Sequence, residues 1–265
     1  MPRSSTSAAP IMSDDNVIEL LKIMRDNNAP TMRDFLNVLN QVGAMEKQLE
    51  AAVSELAAMR RELAEAQANN HPLKTTLQKA VIAMQSQVLE LRDKLAALKD
   101  NVINGCKNAI DAFKDKGVTA LDGIARFFRI KPILESIRNG LEKNIAFDDK
   151  AIAKIEAVST EYHEAGKHMK NVGRAMAGRE AITEAKPVGK VARAFEAPIK
   201  AERKIYVSMK KSVEAAIGSM IRLEEKAAER KPSIIKTMEE TNKKVERERA
   251  ERPAPARSRR IEHDI

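Results

Sequence analysis

Apolar residues recur at alternating intervals of three and four along the first part of the chain. The repeat keeps its phase from Phe35 through Ala66, and it resumes at Leu77 after a break at residues 69–72. This spacing predicts two α-helices of coiled-coil grade, because it places one apolar seam along each helix. Pro72 predicts the break, since proline cannot continue a helix interior. The predicted seam consists of Phe35, Val38, Val42, Met45, Leu49, Leu56, Met59, Leu63, Leu77, Val81, Met84, Val88, Leu91, Leu95 and Leu98.

Two arrangements of these helices fit the pattern. Residues 35–68 fold back on residues 73–103 as an intramolecular hairpin, or the helices continue as a rod that pairs with another chain. β-Branched valines at the a positions of the second repeat favour two-stranded pairing. The connection is short enough for either arrangement, so the pattern predicts a seam without identifying its partner.

Further helices are predicted on both sides of this pair. A short apolar helix from Asn16 to Met24 follows a Ser/Asp cap, and residues 110–137 hold a Phe-rich stretch typical of a compact helical core. We interpret Asp148 and Asp149 as N-terminal caps of a long helix. Its apolar residues, in heptad phase, are Ile155, Val158, Tyr162, Ala165, Met169, Val172 and Met176.

The predicted fold is therefore all-α, with long heptad-patterned coiled-coil helices followed by an elongated helical bundle region and no sheet. We divide the chain into four regions. Residues 1–13 are a disordered leader, and residues 14–104 are an N-terminal helix and coiled-coil arm broken at 69–72. Residues 105–228 form the bundle region, basic toward its end, and 229–265 form a charged disordered tail.

Composition supports thin helix-on-helix packing. Only 3% of the 265 residues are aromatic and Trp is absent, whereas 32% are charged. Cys106 is the single cysteine, which fits a reducing, cytoplasmic setting. No run of apolar residues is long enough for a membrane span, so we expect none.

The sequence offers no candidate catalytic residue, metal ligand or cofactor site. His163 and His168 resemble a zinc-protease helix, but they are five residues apart, where a shared metal needs four. Cys106 stands beside Lys107, yet no base or orienting group accompanies it. We expect a protein that is not an enzyme and that takes no small-molecule substrate.

The formal charge of +9 is concentrated late in the chain. Basic residues cluster between 186 and 211, and such a cluster can contact the phosphates of DNA or RNA without reading sequence. No known nucleic-acid-binding motif accompanies it, so a solvated helix face is the preferred interpretation. The candidate contacts are Lys186, Lys190, Arg193, Lys200, Arg203, Lys204, Lys210 and Lys211.

Two runs, Gly117 to Pro132 and Asp148 to Gly166, resemble an uncharacterised helical family of anaerobic Gram-positive gut bacteria. Members of that family are often carried on conjugative or transposon-like mobile elements. The resemblance covers residues 14 to about 240 and is most specific between Lys116 and Lys190. It implies a cytoplasmic accessory protein with a link to DNA transfer, and it supplies no catalytic residue.

These observations favour a non-enzymatic structural or adaptor protein. On this interpretation the heptad arm mediates self-association, and the helical region that follows docks a protein partner. The alternative is a DNA- or RNA-associated accessory factor of a mobile element, binding phosphates through residues 186–211.

Overall fold

The computed structural model describes residues 10–68, 74–184 and 190–250. Within these residues the chain is helical and contains no strand, so the all-α prediction is confirmed. A 3-10 turn at Ile11–Ser13 precedes the first helix, and another occupies Ile124–Phe127. The α-helices are α1 (Asp15–Asp26), α2 (Met32–Ala68), α3 (Lys74–Lys116), α4 (Thr119–Asp122), α5 (Lys131–Met176) and α6 (Lys190–Ala250).

Four long helices, α2, α3, α5 and α6, form an antiparallel bundle in which each packs on two others. Hydrogen bonds between α2 and α6 show the relative directions of these two helices. Asn37, near the start of α2, bonds Ser219, whereas Gln48 further along bonds Ser208, so α2 and α6 run oppositely. The most extensive packing in the molecule is between α2 and α6, followed by that between α5 and α6. Helix α6 therefore closes the bundle.

The predicted heptad helices lie inside this bundle. Helices α2 and α3 pack against each other in one chain and are joined by an ion pair between Lys99 Nζ and Glu46 Oε1, 2.5 Å apart. The predicted boundary between residues 104 and 105 falls within α3, and helices from both predicted regions share one hydrophobic core. The predicted break at 69–72 lies outside the described residues.

The start of the chain's described part is anchored on the bundle. Asp14 caps α1, its Oδ1 accepting hydrogen bonds from the backbone N–H groups of Asn16 and Val17 at 3.0 and 3.4 Å. Residues 11–13 were expected to be disordered, but they form a 3-10 turn in which Ile11 is buried in the core. Burial of the Ile11 side chain in the core explains why these residues are ordered.

Two later expectations also differ from the structure. Helix α5 runs without interruption from Lys131 to Met176, so Asp148 and Asp149 lie inside it and are not caps. Helix α6 continues to Ala250, beyond the predicted start of a disordered tail at 229. In the sequence, Glu239 and Glu240 precede Lys243 and Lys244 by four residues, a spacing that favours helix.

The segment between α3 and α5 covers one end of the bundle. Phe128 stacks on Phe35 of α2 with ring centroids 4.9 Å apart, and Thr31 donates a hydrogen bond to the Leu121 carbonyl. Gly105 in α3 makes this close approach sterically allowed. A Cβ at that position would lie 2.6 Å from Phe128 Cε1 and 2.9 Å from the Phe127 carbonyl oxygen.

We predict that Gly105→Ala lowers the free energy of unfolding by about 1–3 kcal/mol, because the added methyl overpacks this contact. The matched control is Gly43→Ala in α2, where a Cβ meets nothing within 4 Å. There the loss of glycine flexibility raises stability by about 0.5–1 kcal/mol. Urea titrations followed by circular dichroism measure both, and equal effects of the two substitutions would contradict this account.

Candidate functional site

The predicted coiled-coil seam is covered by other helices of the same chain. All the predicted seam residues of α3 are buried, as are those of α2 except Leu49 and Leu63, which are half-buried against the same core. Their burial depends on α6 and α5 packing over them. The seam is therefore unavailable to a second chain unless the bundle opens.

The basic stretch is partly neutralised by α5. Arg203 Nε lies 2.6 Å from Asp149 Oδ1, and Lys210 Nζ lies 2.9 Å from Glu142 Oε1. Lys200 Nζ lies 3.7 Å from Glu156 Oε1, besides pairing with Glu196 on its own helix. The three α5 carboxylates are spaced seven residues apart and so share one face. These cations connect α6 to α5.

The other members of the basic stretch fall into two groups. Lys186 lies outside the described residues, and so does the side chain of Lys190. Arg193, Lys204 and Lys211 are on or near the outer surface and carry no ion pair within the described residues. Their spacing of eleven and seven residues brings them to nearly the same angle around α6. They form one basic stripe on that helix.

The histidine and cysteine candidates lie apart from any assembled site. His168 is exposed, with Nε2 3.9 Å from Glu164 Oε2, and the ring of His163 lies edge-on to Tyr162. The described residues contain no group of three His, Cys, Asp or Glu side chains that could hold a metal ion. Cys106 is buried, and burial raises the pKa of its thiol to about 12. A protonated, buried thiol is a poor nucleophile.

Two carboxyl groups that the sequence does not reveal as core residues are buried between α5 and α6. Asp148 and Glu202 are each 0% exposed. The hydroxyl of Tyr206 donates a hydrogen bond to Glu202 Oε1, whereas Glu202 Oε2 and both Asp148 oxygens have no hydrogen-bond partner among the described residues. Asp148 was interpreted as a cap because an adjacent acidic pair is typical of a helix start.

The surroundings of these carboxyls raise the pKa of both from the acidic range to near neutral pH or slightly above it. Burial, followed by the negative charges of Glu202 and Asp149, raises the pKa of Asp148 to about 8, against the partly opposing charge of Arg203. Burial also raises the pKa of Glu202 to about 7, and Glu55 of α2 contributes, whereas the Tyr206 hydrogen bond lowers it. Burial and Glu202 raise the pKa of Tyr206. The α5–α6 interface thus contains a polar centre that stabilises the fold more when its carboxyl groups are protonated.

We predict that Asp148→Asn raises stability at alkaline pH. Because folding raises the pKa of Asp148 from its ordinary 3.8 to about 8, the wild-type carboxyl stabilises the fold least above pH 8. The wild-type free energy of unfolding therefore falls as the pH rises between these two values, and Asp148→Asn flattens that decline. Above pH 8 the variant is more stable than the wild type by on the order of 5 kcal/mol, since each unit of pKa shift corresponds to about 1.4 kcal/mol.

Denaturant titrations across this pH range measure the effect, with Glu161→Gln as the control because Glu161 is an exposed carboxylate on the same helix and does not belong to the ion pairs that join α5 to α6. The control keeps the wild-type decline. A wild-type stability that does not fall between pH 5 and pH 8 would contradict the assignment.

The last turns of α5 project beyond the bundle. Lys200 pairs with Glu156, and α6 begins ten residues before Lys200, so in this antiparallel pair its start lies level with about Gly166. Helix α5 continues to Met176, roughly 15 Å further at 1.5 Å per residue. The end of α5 is therefore without α6 beside it.

An apolar stripe runs along the end of α5, from Tyr162 beside the first turns of α6 to Met176 beyond them, and we call it the α5 end stripe. Tyr162, Met169, Val172 and Met176 are 58%, 78%, 61% and 87% exposed. Ile155, on the same face one heptad before Tyr162, is 0% exposed and lies in the core. Of the residues predicted to share this heptad face, Ile155 is buried and Val158 is half-buried, whereas those that follow are exposed.

The chain turns back along a different face of α5. After Gly178, which has a φ of +64°, Asn171 Nδ2 donates to the Ile182 carbonyl at 2.9 Å, and Ile182 N–H donates to Asn171 Oδ1 at 2.7 Å. Asn171 lies about 160° around the helix from Met169. Ile182 and Glu184 of the returning segment line one groove with Tyr162 and Met169, but both of these stripe side chains remain more than half exposed.

No helix in the described part of the chain is both long and apolar enough to cross a membrane. A family described as a family of unknown function (DUF6674) matches residues 13–260. Neither the curated proteins nor the solved structures contain a match.

Proposed function

We propose that this protein, which belongs to the DUF6674 family of unknown function, is a non-enzymatic structural or adaptor protein that acts through helix–helix association. The observation that carries the proposal is the α5 end stripe, which continues the apolar face of a bundle helix into solvent. Contiguous exposed apolar patches of this kind mark interaction surfaces on soluble domains. The single cysteine supports a cytoplasmic location.

The structure changes which surface we propose for association. The heptad seam of α2 and α3 is buried in the chain's own core, whereas the α5 end stripe is exposed and carries two methionines. Methionine side chains adapt to varied partner surfaces. An apolar helix face can receive another amphipathic helix through anchors spaced three, four and seven residues apart. The spacing of the stripe meets that requirement.

We predict that Met169→Lys combined with Met176→Lys abolishes partner binding without unfolding the protein, because both side chains lie outside the core. Affinity purification from the native host, at moderate salt and with nuclease, compares wild type with this double variant. Ile82→Lys is the control, since Ile82 is a 69% exposed apolar residue on α3. Proteins lost with the double variant and retained with the control support the proposal. Identical recoveries from all three would refute it.

A second candidate function is that of a DNA- or RNA-associated accessory factor, the role for which the mobile-element resemblance also argues. The basic stripe of Arg193, Lys204 and Lys211 favours it, because these cations share one face of α6 and span about 27 Å. Such a row can follow phosphates without reading bases. Binding of this kind is strongly salt-dependent.

For this candidate, Lys204→Glu with Lys211→Glu weakens retention on a DNA column at low salt and reduces the salt dependence of binding. The control reverses two exposed lysines of α3, Lys79 and Lys107, which changes the net charge equally. Retention that falls only with the α6 variant supports phosphate contact by the stripe. A wild-type protein that passes through the column at low salt excludes the candidate.

A further inference from the structure

Cations of both helices border the outer side of the seam between α2 and α6. Arg33 of α2 lines one cavity of about 590 Å³ with Arg222 and Lys226 of α6. Lys47 and Arg61 follow Arg33 along α2 at intervals of fourteen residues. Two heptads return a helix in a bundle to the same position relative to its neighbour. These α2 cations therefore form one row along the seam.

A second group of cations surrounds a hydrogen bond in the middle of the seam. Gln48 Nε2 of α2 donates to Ser208 Oγ of α6 at 2.8 Å. Lys47 is next to Gln48, and Lys204 and Lys211 lie about one helical turn before and after Ser208. All three lysines are exposed, and none forms an ion pair with another described residue. The seam thus brings a lysine of α2 close to two lysines of α6.

A third group lies at the far end of the seam. Since α2 and α6 are antiparallel and Gln48 meets Ser208, Arg61 lies level with about residue 195, near Arg193. The groups are roughly 21 Å apart, because fourteen residues of α-helix rise by that length. We call these cations together the basic face. It consists of Arg33, Lys47, Arg61, Arg193, Lys204, Lys211, Arg222 and Lys226.

Exposed carboxylates lie at the margins of the basic face. Within the described residues, Glu65 and Glu225 stand at its two ends, and Glu50 and Glu214 lie on the flanks turned toward α3 and α5. The carboxylates on the side of α2 that packs on α6 are buried or half-buried, and these are Asp34, Glu55 and Glu62. The middle of the face therefore presents only positive charge to solvent.

The outermost heptad position of α2 differs from that of α3. In α2 it carries Arg33, Asn40, Lys47, Ser54 and Arg61, with no acidic residue. In α3 the equivalent position carries Lys79, Ser86, Asp93, Asp100 and Lys107, whose charges cancel. A solvated helix surface normally mixes both signs, as α3 does. The one-signed row of α2 beside the basic stripe of α6 therefore indicates an anionic partner.

The side chains between the two rows indicate which anionic partner fits. They are small, and they include Ala44, Ala51, Ala58, Ala194, Ala201 and Ala215. The aromatic residues of α2 and α6 are buried, and these are Phe35, Phe195 and Tyr206. Proteins that hold single strands stack bases on aromatic side chains, and helices on membrane surfaces insert large apolar ones. The basic face is built of neither, which favours the backbone of a duplex.

We propose that the basic face binds the phosphate backbone of double-stranded DNA. The axes of packed helices are about 8–10 Å apart, between the widths of the two grooves of B-form DNA, about 6 and 12 Å. The α2 row and the α6 row can therefore each follow one of the two phosphate ridges that border a groove. The inference rests on the second candidate function, to which it adds the cations of α2 and the choice of a duplex.

The number of available cations sets the expected salt dependence. Arg222 and Lys226 already bind Asp34, whereas the other six cations form no ion pair within the described part of the chain. The logarithm of the affinity falls with the logarithm of the salt concentration by about 0.9 per neutralised phosphate, so six contacts give a slope of roughly −5. We expect binding without sequence preference, because phosphates carry no sequence information.

Fluorescence anisotropy with the full chain and a labelled duplex tests the inference. A duplex of about 20 base pairs, roughly 68 Å long, exceeds the length of the face. Lys47→Glu combined with Arg61→Glu changes only α2, outside the basic stripe of α6. We expect this variant to bind at least about tenfold more weakly at low salt and to lower the salt slope by about 2. Its helical circular dichroism spectrum stays unchanged, because both side chains are exposed.

The matched control is Lys79→Glu combined with Lys107→Glu, which changes the net charge equally at the equivalent position of α3. The control keeps the wild-type salt slope and affinity within about twofold. Equal losses in the α2 variant and the control overturn the inference. So does binding of single-stranded DNA, or of anionic lipid vesicles, that is as tight as binding of the duplex at the same salt concentration.

The failure of this inference can be distinguished from failure of the functions proposed above. A duplex that binds the wild type but is insensitive to the α2 substitutions overturns the inference and leaves the nucleic-acid candidate to the α6 stripe. A wild type that does not bind the duplex at low salt overturns both. Neither result affects the adaptor role, which depends on the α5 end stripe.

Discussion

Packing of α6 against α2 and α5 is the interaction on which the rest of the structure depends. It buries the seam residues of α2 and connects the first half of the chain to the last. Polar contacts fix its register at both ends. Asp34 accepts hydrogen bonds from Arg222 Nε at 2.8 Å and from Lys226 Nζ at 2.6 Å, while Asp149 holds Arg203 at the other end of the shared surface. The apolar seam supplies most of the stabilisation, and these pairs select one alignment of the helices.

The same packing explains why the pKa values of two buried carboxyl groups, Asp34 and Asp148, shift in opposite directions. Asp34 is mostly buried, yet the hydrogen bonds of Lys226 and Arg222 outweigh the effect of burial and lower its pKa. Asp148 is buried with no hydrogen-bond partner in the described part of the chain, and burial raises its pKa. The Asp34 cluster therefore stabilises the ionised state, and the Asp148 centre stabilises the protonated one. The interface between α5 and α6 consequently weakens toward alkaline pH, whereas the contact of Asp34 weakens toward acid.

The helices and the seam could be predicted because they depend on local spacing. Apolar positions three and four residues apart identify α2 and α3 without knowledge of any partner. The helix that covers the seam of α2 is α6, more than a hundred residues away in the sequence. A periodic apolar pattern in one helix does not reveal which other helix packs against it. Asp148 and Asp149 suggested a helix start inside α5, but tertiary packing overrides such local signals. The acidic residues Glu142, Asp149 and Glu156, seven apart, were a readable sign that the basic stretch of α6 has an internal partner.

The central claim is that the heptad helices form the interior of a single-chain bundle. Hydrogen–deuterium exchange of the full chain, followed by mass spectrometry at low and high protein concentration, tests it most directly. The account predicts that α2 and α3 are equally protected at both concentrations, because their partners lie in the same chain. Protection of α2 and α3 that is lost on dilution would contradict the account, since it would show that another chain covers the heptad seam.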